Sequence, residues 1–164
     1  MDRKMVLVAY GSKRGGTAEI AEWIGAELAA GDLAVQVRPA RTVGDVAAYD
    51  AVILGGAFYG GRWHRDARVF ARRFGKSLRT LPVWVFGSGP LDHSAEDPDS
   101  KIPGMRGLLK VADRLGARGH IVFGGRLAPD ATGFPASAMA KKMAGDYRDE
   151  DRVRAWAKDI AAQL

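Results

Sequence analysis

The feature that most constrains this chain is an alternation. Short, nearly continuous apolar runs end in glycine, and each leads into a stretch with helical spacing. Residues 4–10 run into Gly11-Ser12, residues 50–54 into Gly55-Gly56, and residues 82–86 into Gly87; residues 118–123 form a fourth run. Unbroken apolar strands of this kind are buried on both faces, so helices must cover the sheet from both sides. The intervening stretches supply those helices. Ile20, Ala21, Ile24 and Leu28 share one helix face, as do Ala67, Phe70, Ala71 and Phe74 in residues 65–76. Residues 103–115 open at Pro103 and stop before Gly116, and residues 149–163 turn Val153, Trp156, Ala157 and Ile160 inward. Residues 33–38 alternate as a strand near a sheet edge does. Helix-containing crossovers join parallel strands and wind right-handed. The pattern predicts an α/β fold: a three-layer α/β/α sandwich around a five-stranded parallel sheet of order 2-1-3-4-5, in one domain over residues 1–164.

Composition narrows the chemistry. The 164 residues include no cysteine, which excludes disulfides, thiolate metal sites, iron–sulfur clusters and cysteine nucleophiles. Any redox chemistry must therefore come from a bound organic cofactor. No apolar run approaches the length of a membrane span, and residues 5–9 are too short for a signal-peptide core, so a cytoplasmic protein is expected. The three histidines form no metal cluster; His120 reads as structural, His93 lies in a turn, and His64 stands at a strand-end loop. No serine sits in a nucleophile elbow and no carboxylate pair suits glycoside chemistry, which argues against a hydrolase.

Ligands of such sheets bind outside the carboxyl ends of the strands. The first strand is followed by Gly11-Ser12-Lys13-Arg14-Gly15-Gly16-Thr17, which opens directly into a helix. Small and hydroxyl residues there leave backbone N–H groups aimed at an anion, and the helix dipole, Lys13 and Arg14 add positive charge. A phosphate is the guest this loop suits; the alternative is an ordinary turn with Thr17 as helix cap. Neither G-x-x-x-x-G-K-[ST] nor G-x-G-x-x-G is present. The loop after the third strand holds Ala57, Phe58, Tyr59, Gly60, Gly61 and Trp63. Its aromatic residues either stack on a planar ligand, with Tyr59 and Trp63 the candidates, or cap the core beneath the next helix. Ser88, Gly89, Pro90, Leu91 and Asp92 follow the fourth strand, and the acids at 96, 97 and 99 fit no calcium loop.

Ser12-x-Arg14-Gly15-Gly16-Thr17 resembles the phosphate loop of flavodoxins, usually Thr/Ser-x-Thr-Gly-x-Thr. Ser12, Gly15 and Thr17 match that pattern, and Arg14 stands where a hydroxyl is common, either meeting the phosphate by charge or facing solvent. The resemblance implies that the phosphate belongs to FMN. It implies further that the second loop packs against the isoalloxazine ring and that the third, 88–92, covers the ring's other edge. Phe123-Gly124-Gly125-Arg126-Leu127, Met139-x-Lys141-Lys142-Met143-x-Gly145-Asp146 and the run from Tyr59 to His64 are similar to segments of the flavodoxin-like, quinone-dependent protoporphyrinogen oxidases. That likeness implies an FMN-dependent oxidoreductase that passes electrons from a carboxylated porphyrinogen to a quinone.

The net charge of +6 is concentrated. Residues 62–79 hold Arg62, Arg65, Arg68, Arg72, Arg73, Lys76 and Arg79 against Asp66 alone, so this segment carries the whole net charge. Carriers resembling flavodoxin are typically acidic and dock on basic reductases, so a basic chain reverses that complementarity. A basic rim attracts a carboxylated substrate or an anionic membrane surface, where residues 137–143 would make peripheral contact at the inner face. Three functions stay open: the oxidase-like enzyme, a flavodoxin-type electron carrier with an acidic redox partner, and a flavin-free binding module on the same fold. Nucleic acid is not an expected partner, because the basic helix lacks base-reading residues.

Overall fold

The computed structural model describes residues 3–12, 15–90, 93–97, 101–127 and 145–164. Strand β1 (Lys4–Gly11) is flanked by β2 (Leu33–Pro39) and β3 (Ala51–Tyr59), both parallel to it, so that Val6 lies between Val35 and Ala51. A short antiparallel strand, β4 (Arg62–Trp63), folds back on the end of β3. The sheet continues through β5 (Val83–Ser88) to β6 (Gly119–Phe123), giving the order β2-β1-β3-β5-β6. Taken over the five parallel strands, that is the predicted 2-1-3-4-5. An antiparallel ribbon of β7 (Arg126–Leu127) and β8 (Gly145–Asp146) stands apart from the sheet.

The helices are α1 (Gly16–Ala29), α2 (Arg65–Arg73), α3 (Gly75–Leu78), α4 (Met105–Leu115) and α5 (Glu150–Ala162). Alternate side chains of each central strand enter opposite layers, as the strand period requires. Leu7, Val52, Leu54, Val83 and Val85 pack with Phe70, Leu78 and Leu108 from α2 to α4. On the other side Val6, Val8, Ile53 and Phe86 pack with Ile20 and Ile24 of α1 and Val153 and Ile160 of α5.

Three expectations change. Strand β3 continues to Tyr59 because Ala57 pairs with Ser88 and Phe58 and Tyr59 pair with β4. The single helix expected over residues 65–76 breaks at Phe74 (φ −104°, ψ 13°), where Gly75 follows and the Phe74 ring packs edge-on against Phe70 at 4.9 Å. Helix α4 begins after Gly104, not at Pro103, since Gly104 sits at φ 92°. No helix among the described residues is long and apolar enough to cross a membrane.

Gly55 faces the Phe86 ring so closely that an added Cβ would fall within the ring itself. Both residues lie buried in central strands, so the ring has no room to retreat. Gly55→Ala is expected to lower stability by at least about 2 kcal/mol. Gly44→Ala, where no atom lies within 4 Å of the new methyl, is expected to stay within about 0.5 kcal/mol of the parent. Urea-unfolding midpoints for the two variants check the contrast.

Candidate phosphate and ring site at the sheet's carboxyl edge

The carboxyl ends of β1, β3 and β5 are neighbours, since Gly11 pairs with Gly56 and Gly56 with Gly87. Beyond Gly11 the Ser12 hydroxyl accepts a hydrogen bond from the Gly15 N–H at 3.1 Å. Gly15 takes the left-handed conformation (φ 84°) and starts α1 with no side chain capping the helix. The N–H groups of the first turn therefore lack intrahelical acceptors and present their donors at the loop. Thr17 is not the cap that the alternative reading expected. It lies within the first turn and is 3% exposed. Lys13 and Arg14 lie outside the described residues. A cation that was not foreseen stands here instead: Arg126 of β7 is exposed, and a Cβ on Gly16 would lie 3.6 Å from its own Cβ. A hydroxyl, an uncapped helix start and a left-handed glycine, with the backbone of an exposed arginine alongside, are a donor set that suits a phosphate.

The second loop sorts its aromatic residues. Gly60 and Gly61 (φ 58° and 74°) make the tight turn between β3 and β4, the conformation that two-residue hairpins require. Trp63, one of the two stacking candidates, takes the alternative place in the core. It is 1% exposed, and its Nε1–H is shared between the carbonyls of Gly56 (3.1 Å) and Phe86 (3.2 Å). Phe58 is half-buried against Gly87, Gly89 and Gly104, where a Cβ would collide with it, so it wedges β5 against the start of α4. Tyr59 and Ala57 are half-buried at the strand end, beside the exposed Gly60 and Gly61.

The third loop is fixed from behind. Ser88 is 2% exposed and donates to the Gly124 carbonyl at 3.4 Å. The Gly125 N–H donates to the Pro90 carbonyl at 2.9 Å, and the Gly89 backbone approaches Gly125 too closely for a side chain at 125. Leu91 and Asp92 lie outside the described residues, as do residues 137–143. His64 borders the site as a helix cap. Its Nδ1 accepts from the Asp66 N–H at 3.0 Å and caps α2, while its ring lies over Gly11. His120 is exposed on β6 and plays no part in the core.

A buried clamp holds the ribbon to the loop. The Arg148 side chain is 5% exposed and donates to both Asp146 oxygens (2.9 and 2.8 Å), to Glu19 of α1 (2.8 Å) and to the Gly16 carbonyl (3.4 Å). Its guanidinium lies 4.9 Å from the Trp23 ring centroid. Hydrogen bonding from Arg148 holds the Asp146 carboxyl below its ordinary range, and the same bond raises Arg148. Since Asp146 pairs in register with Arg126, the clamp sets the position of that cation too. The signal for it was the Gly145-Asp146 step before the last helix, but the partner on α1 is far away in the sequence.

Arg148→Ala is expected to cost about 1–2 kcal/mol, because packing, cation–π contact and hydrogen bonds are lost together while the half-exposed carboxylates rehydrate. The Asp146 contribution has a definite sign. Its pKa is depressed on folding, so its stabilisation is present above the ordinary carboxylate pKa and fades as pH falls through the lower folded value. The stability difference between the parent and Asp146→Asn, measured by urea unfolding, is expected to be constant from neutral pH to about pH 5 and to close at lower pH.

Comparison with known proteins places this geometry. Residues 7–152 match the family model of the flavodoxin domain. Oxidised flavodoxin 1 from Bacillus cereus superposes with a TM-score of 0.62 over 98% of this chain and 99% of that one, at 14% identity. A cysteine-to-serine mutant of flavodoxin from Pseudomonas aeruginosa gives 0.63 over 98% of both chains at 18% identity. Two-electron reduced flavodoxin from Megasphaera elsdenii gives 0.64 over 98% and 100% at 20% identity. At these identities the likeness shows the fold. No curated protein sequence matches the chain. None of these likenesses points to protoporphyrinogen oxidases in particular. With the match spanning most of its length and the strand order and carboxyl-edge loops in place, the chain belongs to the flavodoxin domain family, whose cofactor is FMN.

Proposed function

We propose that this chain is an FMN-binding electron-transfer protein of the flavodoxin type. The observation that carries the reading is the junction of β1 and α1, where Ser12, Gly15 and the uncapped first turn of α1 converge. Ser12, Thr17 and the backbone of Gly15 and Gly16 would hold the phosphate, with Arg126 contributing charge from β7. Tyr59 and the Gly60–Gly61 turn would bound one edge of the ring, and Gly89 and Pro90 the other. FMN supplies one- and two-electron redox chemistry, and a chain without cysteine has no thiol–disulfide couple of its own. The protein's part is placement: a rigid carboxyl edge that fixes the cofactor and keeps water from one side of it.

A second reading, an oxidase-like enzyme passing electrons from a porphyrinogen to a quinone at the cytoplasmic face of a membrane, draws support from residues 62–79. Their charge would attract a carboxylated substrate. Turnover of a reduced porphyrinogen with a quinone acceptor separates this reading from the carrier.

Titration of FMN into the purified chain, followed by quenching of flavin fluorescence, tests the shared premise. Saturable binding is expected, with Kd raised about 10- to 100-fold by Ser12→Ala and by Thr17→Val, since each removes a hydrogen bond to a dianion. Absence of quenching up to about 1 mM, an affinity too weak to retain a cofactor, would leave the flavin-free binding module as the surviving reading.

A further inference from the structure

We propose that the outer face of α2 to α4 is a docking surface for an acidic protein that exchanges electrons with this chain. The electron exchange rests on the flavin reading above; the docking does not. Residues 62–79 carry the whole net charge, and the remainder of the sequence is balanced. On α2 the residues Ala67, Phe70 and Ala71 are buried, which turns Arg65, Arg72 and Arg73 outward around Val69, while the half-buried Arg68 donates to the Trp63 carbonyl. Arg62, Arg65, Arg72 and Lys76 are exposed, and none forms an ion pair among the described residues. The opposite layer is built differently. There Arg154 meets Glu27 and Glu150, Lys158 meets Glu27, and Arg148 meets Glu19 and Asp146. Exposed cations without carboxylate partners thus cluster on this side of the sheet, while Arg152 on the other is spent on the carbonyls of Val122 and Ala95.

The same side holds both of the exposed large apolar residues found among the described positions, Val69 on α2 (39% exposed) and Leu109 on α4 (41%). Helices α2, α3 and α4 pack on one another over the same face of the sheet. Leu109 lies in an open groove of about 610 Å³, flanked by Met105 and rimmed by Lys101, Arg106 and Lys110 against the single acid Asp113. The surface is therefore cationic with two apolar points.

That composition selects among anionic occupants. A lipid surface is gripped by a row of aromatic and leucine side chains that insert, but Phe70 is 2% exposed, Phe74 packs against it, and Leu109 is the one exposed leucine among the described residues of this face. Nucleic-acid recognition adds exposed stacking or amide side chains to its arginines, but residues 65–79 contain no asparagine, glutamine, tyrosine or tryptophan, and Phe70 and Phe74 pack on each other. Arginine around isolated apolar points is the make-up of a protein interface, and dense unpaired charge favours fast, salt-sensitive association. The face also reaches the site. Arg62 pairs with Tyr59 across the hairpin, and His64, which begins α2, lies over Gly11. A partner seated on the arginines would stand at the rim where the cofactor is placed.

The probe is a strongly acidic plant-type [2Fe–2S] ferredoxin, with binding followed by calorimetry, with and without FMN, at about 20 and about 200 mM salt. Binding at the lower salt is expected to weaken at least tenfold at the higher. It is expected to weaken at least tenfold again in Arg65→Glu/Arg72→Glu/Arg73→Glu, with the single variant Arg72→Glu moving in the same direction. Lys158→Glu on the opposite layer is expected to leave the affinity within about twofold, and Val69→Ala to weaken it without altering the salt dependence. The proposal is overturned by charge-reversal variants that bind as the parent does, by absence of ferredoxin binding at low salt, or by tighter binding to phosphatidylglycerol vesicles or a single-stranded oligonucleotide. FMN affinity, measured on the same variants, is expected to be unchanged. FMN uptake without docking defeats this proposal alone, and docking without FMN uptake defeats the flavin reading alone.

Discussion

The structure depends on close approach at the carboxyl ends of its central strands. Gly11, Gly55, Gly56 and Gly87 each face a ring from another element: His64, Phe86, Trp63 and Phe58 in turn. A side chain at any of these positions would push the ring outward, and with it the element that the ring carries. Because the rings seat fully, α2 is drawn onto the end of β1, β4 onto β3, and the β5 loop onto the start of α4. Interior packing at crystal-like density turns these contacts into fixed distances. The loops that bound the site are positioned from beneath by these rings and tied to one another by the bonds of Gly125 and Arg148.

Arginine is used in two opposite ways. Arg148 is buried, and its cost in lost hydration is offset by carboxylates, a carbonyl and the Trp23 face, all within reach at once. Arg152 does similar work, donating to the carbonyls of Val122 and Ala95. These residues tie α5 and the ribbon to the loops at the sheet edge. On α2 only Arg68 works this way, donating to the Trp63 carbonyl at 3.0 Å; Arg65, Arg72 and Arg73 point outward and are exposed. They are held out by the burial of Phe70 on the other side of the helix, so their charge is available to whatever approaches.

The fold was legible because two periods dominate the sequence, and both are local. A continuous apolar run such as 82–86 has one physical reading when its neighbours on both sides are amphipathic helices. The site was legible in part. Ser12, Gly15 and Gly16 declare themselves by lying between a strand and a helix. Trp63 did not declare itself, because nothing local distinguishes a ring that turns under a sheet from one that turns over it. The carbonyls that claim its Nε1–H, at Gly56 and Phe86, are 7 and 23 positions away. The role of Arg126 was hidden for the same reason, since its placement is set by a clamp that reaches from Asp146 to α1. The break at Phe74 depended on how two phenylalanines meet, which spacing alone does not fix.

A match to flavodoxin structures at 14 to 20% identity has a physical basis in this division of labour. The phosphate cradle proposed above is made largely of backbone: a left-handed glycine, an uncapped helix start and the dipole behind it. Such a site asks only for small residues at a few positions and leaves the rest of the sequence free to drift. Net charge is freer still, because it governs solubility and association and not the fold. A chain can therefore keep the sheet, the loops and the cradle while its outer helices change sign. What must change with them is the partner, since complementarity belongs to the pair of surfaces and not to either one. The basic α2 to α4 face thus bears on which protein this chain meets, and the glycine-lined carboxyl edge on which cofactor it holds.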